Sequence, residues 1–365
     1  MRILDLIKLA PQLYATGDTI HLIGPPGVGK SDVIKNDITA VLSAQFPSDP
    51  PFGFHESLCP TLDAPDYKGF LVPSKDTDGT PTSFFTRSPE LPSKDYLAAH
   101  PRGIFLMDEL SSAEMLTQKA AAPILLHKQF GNERLPPGWQ VWAASNRMSD
   151  RAGVVRSPSH VRNRVREIEM QNDALSWSVW AERNGIHPLI IAWVKQHPAI
   201  ALVNEVPAGD RPFSTARSVT RAAKFLQVTL KRNQDGTFAD LELPNDVLSQ
   251  QAVYGDVGEG AGSDLFGFLK VHDKLPTYDE IMADPTKAKC PTDLSAAWAA
   301  GQMCIHYAKP GNIDKLWTYV ERMPKEIQTS MAKSLLERSG SALLNSPGLI
   351  KWIHSNKALI NVSNG

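Results

Sequence analysis

Residues Gly24, Pro25, Pro26, Gly27, Val28, Gly29, Lys30 and Ser31 fit the pattern G-x-x-x-x-G-K-[ST], and nothing else in the chain restricts its fold so strongly. Glycines at these positions let backbone N–H groups curl around phosphate oxygens, while the helix that follows points its positive end at them. The pattern works only between a buried strand and a helix. Both flanks satisfy this: Thr19-Ile20-His21-Leu22-Ile23 is a β-branched, strand-like run, and residues 31–43 carry the apolar spacing of a helix. Lys30 is then placed to neutralise β- and γ-phosphates, and Ser31 to ligate Mg²⁺.

A second run, Ile104-Phe105-Leu106-Met107, ends in Asp108 and Glu109. Such a run reads as a central parallel strand whose C-terminal end opens on the ligand crevice. There Asp108 would hold the Mg²⁺ shell, and Glu109 would orient and deprotonate a water for in-line attack on a γ-phosphate. The adjacent second acid favours a hydrolase over a phosphate-transferring kinase. The plainer alternative is an acid pair that starts a helix over residues 111–126.

Length and charge bound the rest. At 365 residues the chain can hold two or three domains, and its net charge of −1 gives no global basic field for nucleic acid. Cys59, Cys290 and Cys304 lack metal-ligand spacing and predict reduced, mostly buried thiols. No signal peptide fits the N-terminus, where Arg2, Asp5 and Lys8 interrupt any apolar stretch, and no run is long enough to span a bilayer. A cytoplasmic protein without membrane insertion is expected.

Strand and helix patterns alternate over residues 1–171, with strands at 19–23, 53–58, 104–107, 140–144 and 166–170. Two hairpins interrupt them, near residues 69–86 and 128–138; the first turns at Asp78-Gly79, a strong hairpin signal. Beyond residue 171 the spacing is helical, with a Pro- and Lys-rich break over 276–291. Trp177, Trp180 and Trp193 fall on core faces of these helices.

Val141-Trp142-Ala143-Ala144-Ser145-Asn146 is a strand ending in an amide that can reach a γ-phosphate and an attacking water. With the Asp-Glu pair this resembles the first sensor of an AAA+ ATPase, Asn146 being the sensor. Arg164, with Arg162 as the alternative, resembles the arginine finger that such proteins extend into a neighbouring subunit; a solvated surface arginine is the plain reading of each. Within that class the chain is similar to the MoxR-like ATPases. Asp63 to Gly69 resembles their segment ahead of a helix-2 insertion, and Arg211 to Ser218 resembles the segment opening a lid helix, which makes Arg217 the second sensor. Ala216 stands where the family has proline, so Arg221, one turn on, is the alternative.

The resemblance implies an AAA+ P-loop NTPase core of α/β class with a doubly wound parallel sheet over residues 1–171, an all-α lid over 172–285 and a C-terminal helical extension over 286–365. It implies ATP with Mg²⁺ as the fuel and a homo-oligomeric ring, a hexamer, as the working form. It further implies a von Willebrand factor A domain adaptor and a protein client that the ring remodels or matures. Two other readings stand beside it. One is a DNA- or RNA-acting motor whose hairpins use Lys75, Arg87 and Arg134 on phosphates; the other is a nucleotide-gated scaffold with little turnover.

Overall fold

The computed structural model describes residues 1–47, 50–150, 164–238, 241–270, 274–339 and 346–361. The chain divides into two compact units, Met1–Gln171 and Asn172–Gly365.

The first unit holds nine strands among the described residues: β1 (Ile20–Ile23), β2 (Gly53–Leu58), β3 (Leu71–Lys75), β4 (Pro81–Phe85), β5 (Gly103–Asp108), β6 (Gln129–Phe130), β7 (Glu133–Arg134), β8 (Trp139–Ser145) and β9 (Arg166–Glu169). Five pair in parallel in the order β2-β5-β8-β1-β9. Parallel neighbours need helical crossovers, which cover both faces, so the central strands are buried along nearly their whole length. Alternation along the strands then sorts side chains into two cores. Ile20, Leu22, Ile104, Leu106, Trp142 and Ala144 pack with the helix Ile3–Thr16 and with the helical segment of residues 30–45. Phe105, Met107, Val141 and Ala143 face the helix Met115–His127 through Ala120, Ala121 and Ile124.

The five sheet strands match the sequence pattern to within a residue at each end. The helix expected from Ser111 instead begins at Met115, because Glu109 turns the chain at φ 52° and a 3-10 turn, Leu110–Ser112, intervenes. Helix Ile3–Thr16 was not foreseen. Leu6, Ala10 and Leu13 bury one face of it, and Gly17 at φ 76° ends it.

Both hairpins form. In β3–β4, Leu71 pairs with Phe85 and Lys75 with Pro81, and in β6–β7, Gln129 pairs with Arg134 across Gly131-Asn132. Arg87, just past β4, forms an ion pair with Glu133 on β7, which ties the two together. Phe70, Leu71, Phe84 and Phe85 on the first hairpin are exposed.

The second unit is helical. Trp177 and Trp193 centre one core with helices Ala174–Arg183, Pro188–Gln196, Ala216–Gln227, Val247–Val257 and Glu259–Leu269. Trp317 centres another with Ile313–Val320, Lys325–Ser339 and Pro347–Ser355. Helix Leu294–Tyr307 lends residues to both. The break over 276–291 contains a short helix, Tyr278–Ala283, started by a capping box of Thr277 and Glu280. No helix among the described residues is long and apolar enough to cross a membrane.

Candidate phosphate-binding site

The glycine loop leaves β1, which lies between the central strand β8 and the edge strand β9. Gly24 N–H donates to Ser145 O at 3.2 Å, joining the loop to the end of β8. A Cβ on Gly24 would stand 2.7 Å from Met170 O, so only glycine fits between β1 and the residue after β9. Gly27 and Gly29 take φ 75° and 97°, which turns the loop back onto the helix that begins at Lys30. Lys30 is buried, and its Nζ donates to Gly24 O at 2.9 Å, Pro25 O at 3.0 Å and Asn146 Oδ1 at 3.0 Å. Two residues singled out from separate motifs, Lys30 and Asn146, thus meet.

At the end of β5, Asp108 Oδ1 accepts the Glu109 N–H at 2.9 Å, and the Glu109 side chain is exposed. That leaves Asp108 Oδ2 for a cation. The Asp108 carboxylate and the Ser31 hydroxyl are hard oxygen donors of the kind Mg²⁺ takes. No cluster of three or more His, Cys, Asp or Glu side chains suited to a metal occurs among the described residues. A cation here would therefore complete its shell with water and phosphate oxygens, as Mg²⁺ does.

Beyond Asn146, Arg147 donates from Nη2 to Asp150 Oδ1 at 2.9 Å, and its backbone N–H bonds Asp150 Oδ2 at 2.9 Å. Arg147 Nη1 also lies 3.7 Å from Glu169 Oε1 on β9. The Asp150 carboxylate raises the Arg147 pKa further above its already high ordinary value. These contacts pin the turn that carries Asn146.

Three buried polar residues near the site were not singled out from the sequence. His21 Nε2 lies 2.8 Å from Ser145 Oγ, and Ser145 Oγ accepts the Ser111 N–H at 3.2 Å. Burial first, and the Lys30 charge second, lower the His21 pKa to about 4. Their signal in the sequence was faint: a histidine inside a β-branched strand and a serine one place before Asn146.

The arginines are less organised. Arg164 is exposed in the turn before β9, and Arg162 lies outside the described residues. Arg217 is exposed on the first turn of Ala216–Gln227, whose start is capped by Thr215 and Ser218. Arg221 forms an ion pair with Asp256. The Asp63 side chain caps the helix Ala64–Lys68 in a reciprocal pair with Asp66.

A strand, a glycine loop and a helix on an inner strand of a five-stranded parallel sheet, with the acid pair two strands away, make this an α/β P-loop NTPase fold. No protein-family model matches the chain, and no curated protein does. Among solved structures, it is similar to a point mutant of RuvB from Thermotoga maritima at 13% identity and a TM-score of 0.37, over 77% of this chain and 74% of that one. NtrX from Brucella abortus in complex with ADP is similar at 14% identity and a TM-score of 0.32, over 97% of this chain and 67% of that one. PCH-2 from C. elegans is similar at 12% identity and a TM-score of 0.29, over 92% and 65%.

Proposed function

We propose that this chain is an AAA+ ATPase of the MoxR-like kind, which hydrolyses ATP with Mg²⁺ in a homo-oligomeric ring, a hexamer, and uses the resulting motion to remodel or mature a protein client. One observation carries this reading: Lys30 Nζ bonds Asn146 Oδ1 at 3.0 Å at the mouth of the glycine loop. A phosphate-binding ammonium and a strand-end amide that share one point in space are what γ-phosphate sensing requires.

In this scheme the loop N–H groups and Lys30 bind the phosphates, and Ser31 and Asp108 hold Mg²⁺, which supplies charge neutralisation when bound. Glu109 takes a proton from the attacking water, and Asn146 orients that water. Arg164, with Arg162 as its alternative, completes a neighbour's site, and Arg217 serves as the second sensor. Residues 172–285 act as the lid and 286–365 as an extension. The adaptor is a von Willebrand factor A domain protein, and the setting is the cytoplasm.

The nucleic-acid reading draws less support, since Arg87 is engaged with Glu133 and with Pro92 O and so is not free for a phosphate.

The test has two arms. Purified chain with Mg-ATP should turn over in a form that sediments as a ring, with Glu109→Gln abolishing turnover and retaining ATP. Arg164→Ala subunits should lose hydrolysis and regain it in mixed rings with Lys30→Ala subunits. A monomer that hydrolyses at the full rate would refute the ring. DNA-stimulated turnover with a steep salt dependence would favour the nucleic-acid motor instead.

A further inference from the structure

On the face of the sheet covered by helix Met115–His127, buried polar side chains meet where β1 pairs with β8. His21 on β1 is in register with Ala143 on β8, and Ile23 with Ser145, so His21 and Ser145 point to the same side of the sheet. Their relative exposures are 6% and 2%, and Ser111 beside them is at 5%. Burying three polar side chains in such a place is unfavourable unless each is paired.

The pairing runs through one hydroxyl. Ser145 Oγ accepts the Ser111 N–H at 3.2 Å and lies within hydrogen-bond distance of His21 Nε2 at 2.8 Å. Burial first, and Lys30 second, lower the His21 pKa to about 4 and keep the imidazole neutral. From Ser145 the chain of contacts divides. In sequence, the next residue is Asn146, whose Oδ1 takes the Lys30 ammonium. Through space, the Ser111 peptide closes the 3-10 turn in which Ser112 N–H donates to Glu109 O at 2.9 Å. Gln118 holds the same turn from the covering helix, with Nε2 donating to Ala113 O at 3.0 Å and Ser111 O at 3.5 Å.

We propose that His21 is a positioning residue for hydrolysis: through the Ser145 hydroxyl it fixes the Ser111 peptide, and so holds the Glu109 turn in register with Asn146. The proposal rests on the ATPase reading above. Among the described residues, no hydrogen bond joins His21 to the glycine loop or to Glu109. Its loss is expected to lower kcat and spare nucleotide affinity.

Steady-state turnover of the full chain with Mg-ATP, together with ADP affinity, tests this in His21→Leu, His21→Gln, Ser145→Ala and the Leu/Ala double variant, with Glu109→Gln as the control. His21→Leu should lower kcat about tenfold with KM and ADP affinity within about twofold, the scale of one lost buried hydrogen bond. His21→Gln, whose side-chain amide can hydrogen-bond the Ser145 hydroxyl, should recover most of kcat. Ser145→Ala should fall about as far as His21→Leu, and the double variant no further.

An unchanged kcat in His21→Leu overturns the proposal, as does a fall in kcat matched by an equal fall in ADP affinity. Failure of His21→Gln to recover overturns it too. Should His21→Leu not fold, Ser145→Ala decides, and normal kcat there overturns it. Wild type without turnover, or Glu109→Gln as active as wild type, would sink the ATPase reading itself. An inactive Glu109→Gln beside a fully active His21→Leu sinks this inference alone.

Discussion

Lys30 Nζ and Asn146 Oδ1 stand 3.0 Å apart, joined across 116 residues of sequence. The same ammonium donates to Gly24 O and Pro25 O, so a phosphate that binds Lys30 competes with these oxygens, and Asn146 changes partner as it does. Asn146→Ala removes one competitor for the ammonium and also the amide proposed to meet the γ-phosphate. ADP should bind as well as to wild type or slightly better, while turnover falls about a hundredfold, the scale of a lost transition-state donor. Calorimetric titration with ADP and a turnover assay check the two halves, and wild-type turnover would remove Asn146 from the mechanism.

Glu109 occupies φ 52°, a left-handed conformation that non-glycine residues adopt at a cost of about 1 kcal/mol or more. Asparagine tolerates that region better. Glu109→Asn should raise unfolding stability by about 0.5–1 kcal/mol while turnover falls at least a hundredfold, roughly what removing a general base costs. Urea unfolding and turnover on the same preparation would show it. A variant less stable than wild type would mean that the strain is not borne by this residue.

The sheet and the glycine loop were legible because short apolar runs and the fixed loop spacing are local signals. Ile104 to Met107 announced β5, and Gly24 to Ser31 announced the turn and the helix after it. The start of the helix after β5 was not legible, since Ser111 looks like an ordinary helix opener until Glu109 is seen at positive φ. His21 was illegible for a different reason. Its role depends on Ser145, which lies 124 residues away and is brought alongside only by parallel pairing of β1 with β8. Ion pairs such as Arg87–Glu133 have the same character: each partner reads as a surface charge until the two hairpins fold.

Gly69 sits at φ 83° at the base of the first hairpin, and a Cβ there would fall 1.9 Å from Thr86 O. The clash is with backbone, so the hairpin base must move. Gly69→Ala should cost about 1–3 kcal/mol and raise protease sensitivity between residues 69 and 86, with ADP affinity preserved. Limited proteolysis with mapping of the cut sites tests this, and an uncut hairpin would contradict it.

His21 has an ordinary value of 6.5 that burial and Lys30 lower to about 4 in the folded protein. Between those values the unfolded chain takes up a proton that the folded chain refuses. The stability tied to neutral His21 is therefore complete above pH 6.5 and is lost as pH falls toward 4, by about 3 kcal/mol in all. His21→Gln does not titrate and should lack this part of the slope. Urea unfolding of both proteins between pH 7.5 and 4.5 measures the difference, and parallel curves would show that His21 titrates normally.

Lys195 and Glu182 form an ion pair at 3.3 Å with side-chain exposures of 3% and 4%. Lys195 Nζ also donates to Gln302 Oε1 at 2.6 Å and Ser334 Oγ at 2.7 Å, so one ammonium ties four helices of the second unit together. Lys195→Met leaves the Glu182 charge buried without its cation, which should cost about 3–5 kcal/mol. Glu182→Leu should cost a similar amount by stranding the ammonium. The double variant places two apolar side chains where the ions met, and it should be more stable than either single variant. Denaturant unfolding followed by tryptophan fluorescence, with Trp193 fully buried in the same unit, gives the coupling directly. Single effects that simply add in the double variant would mean that the Lys195–Glu182 pair contributes no interaction of its own.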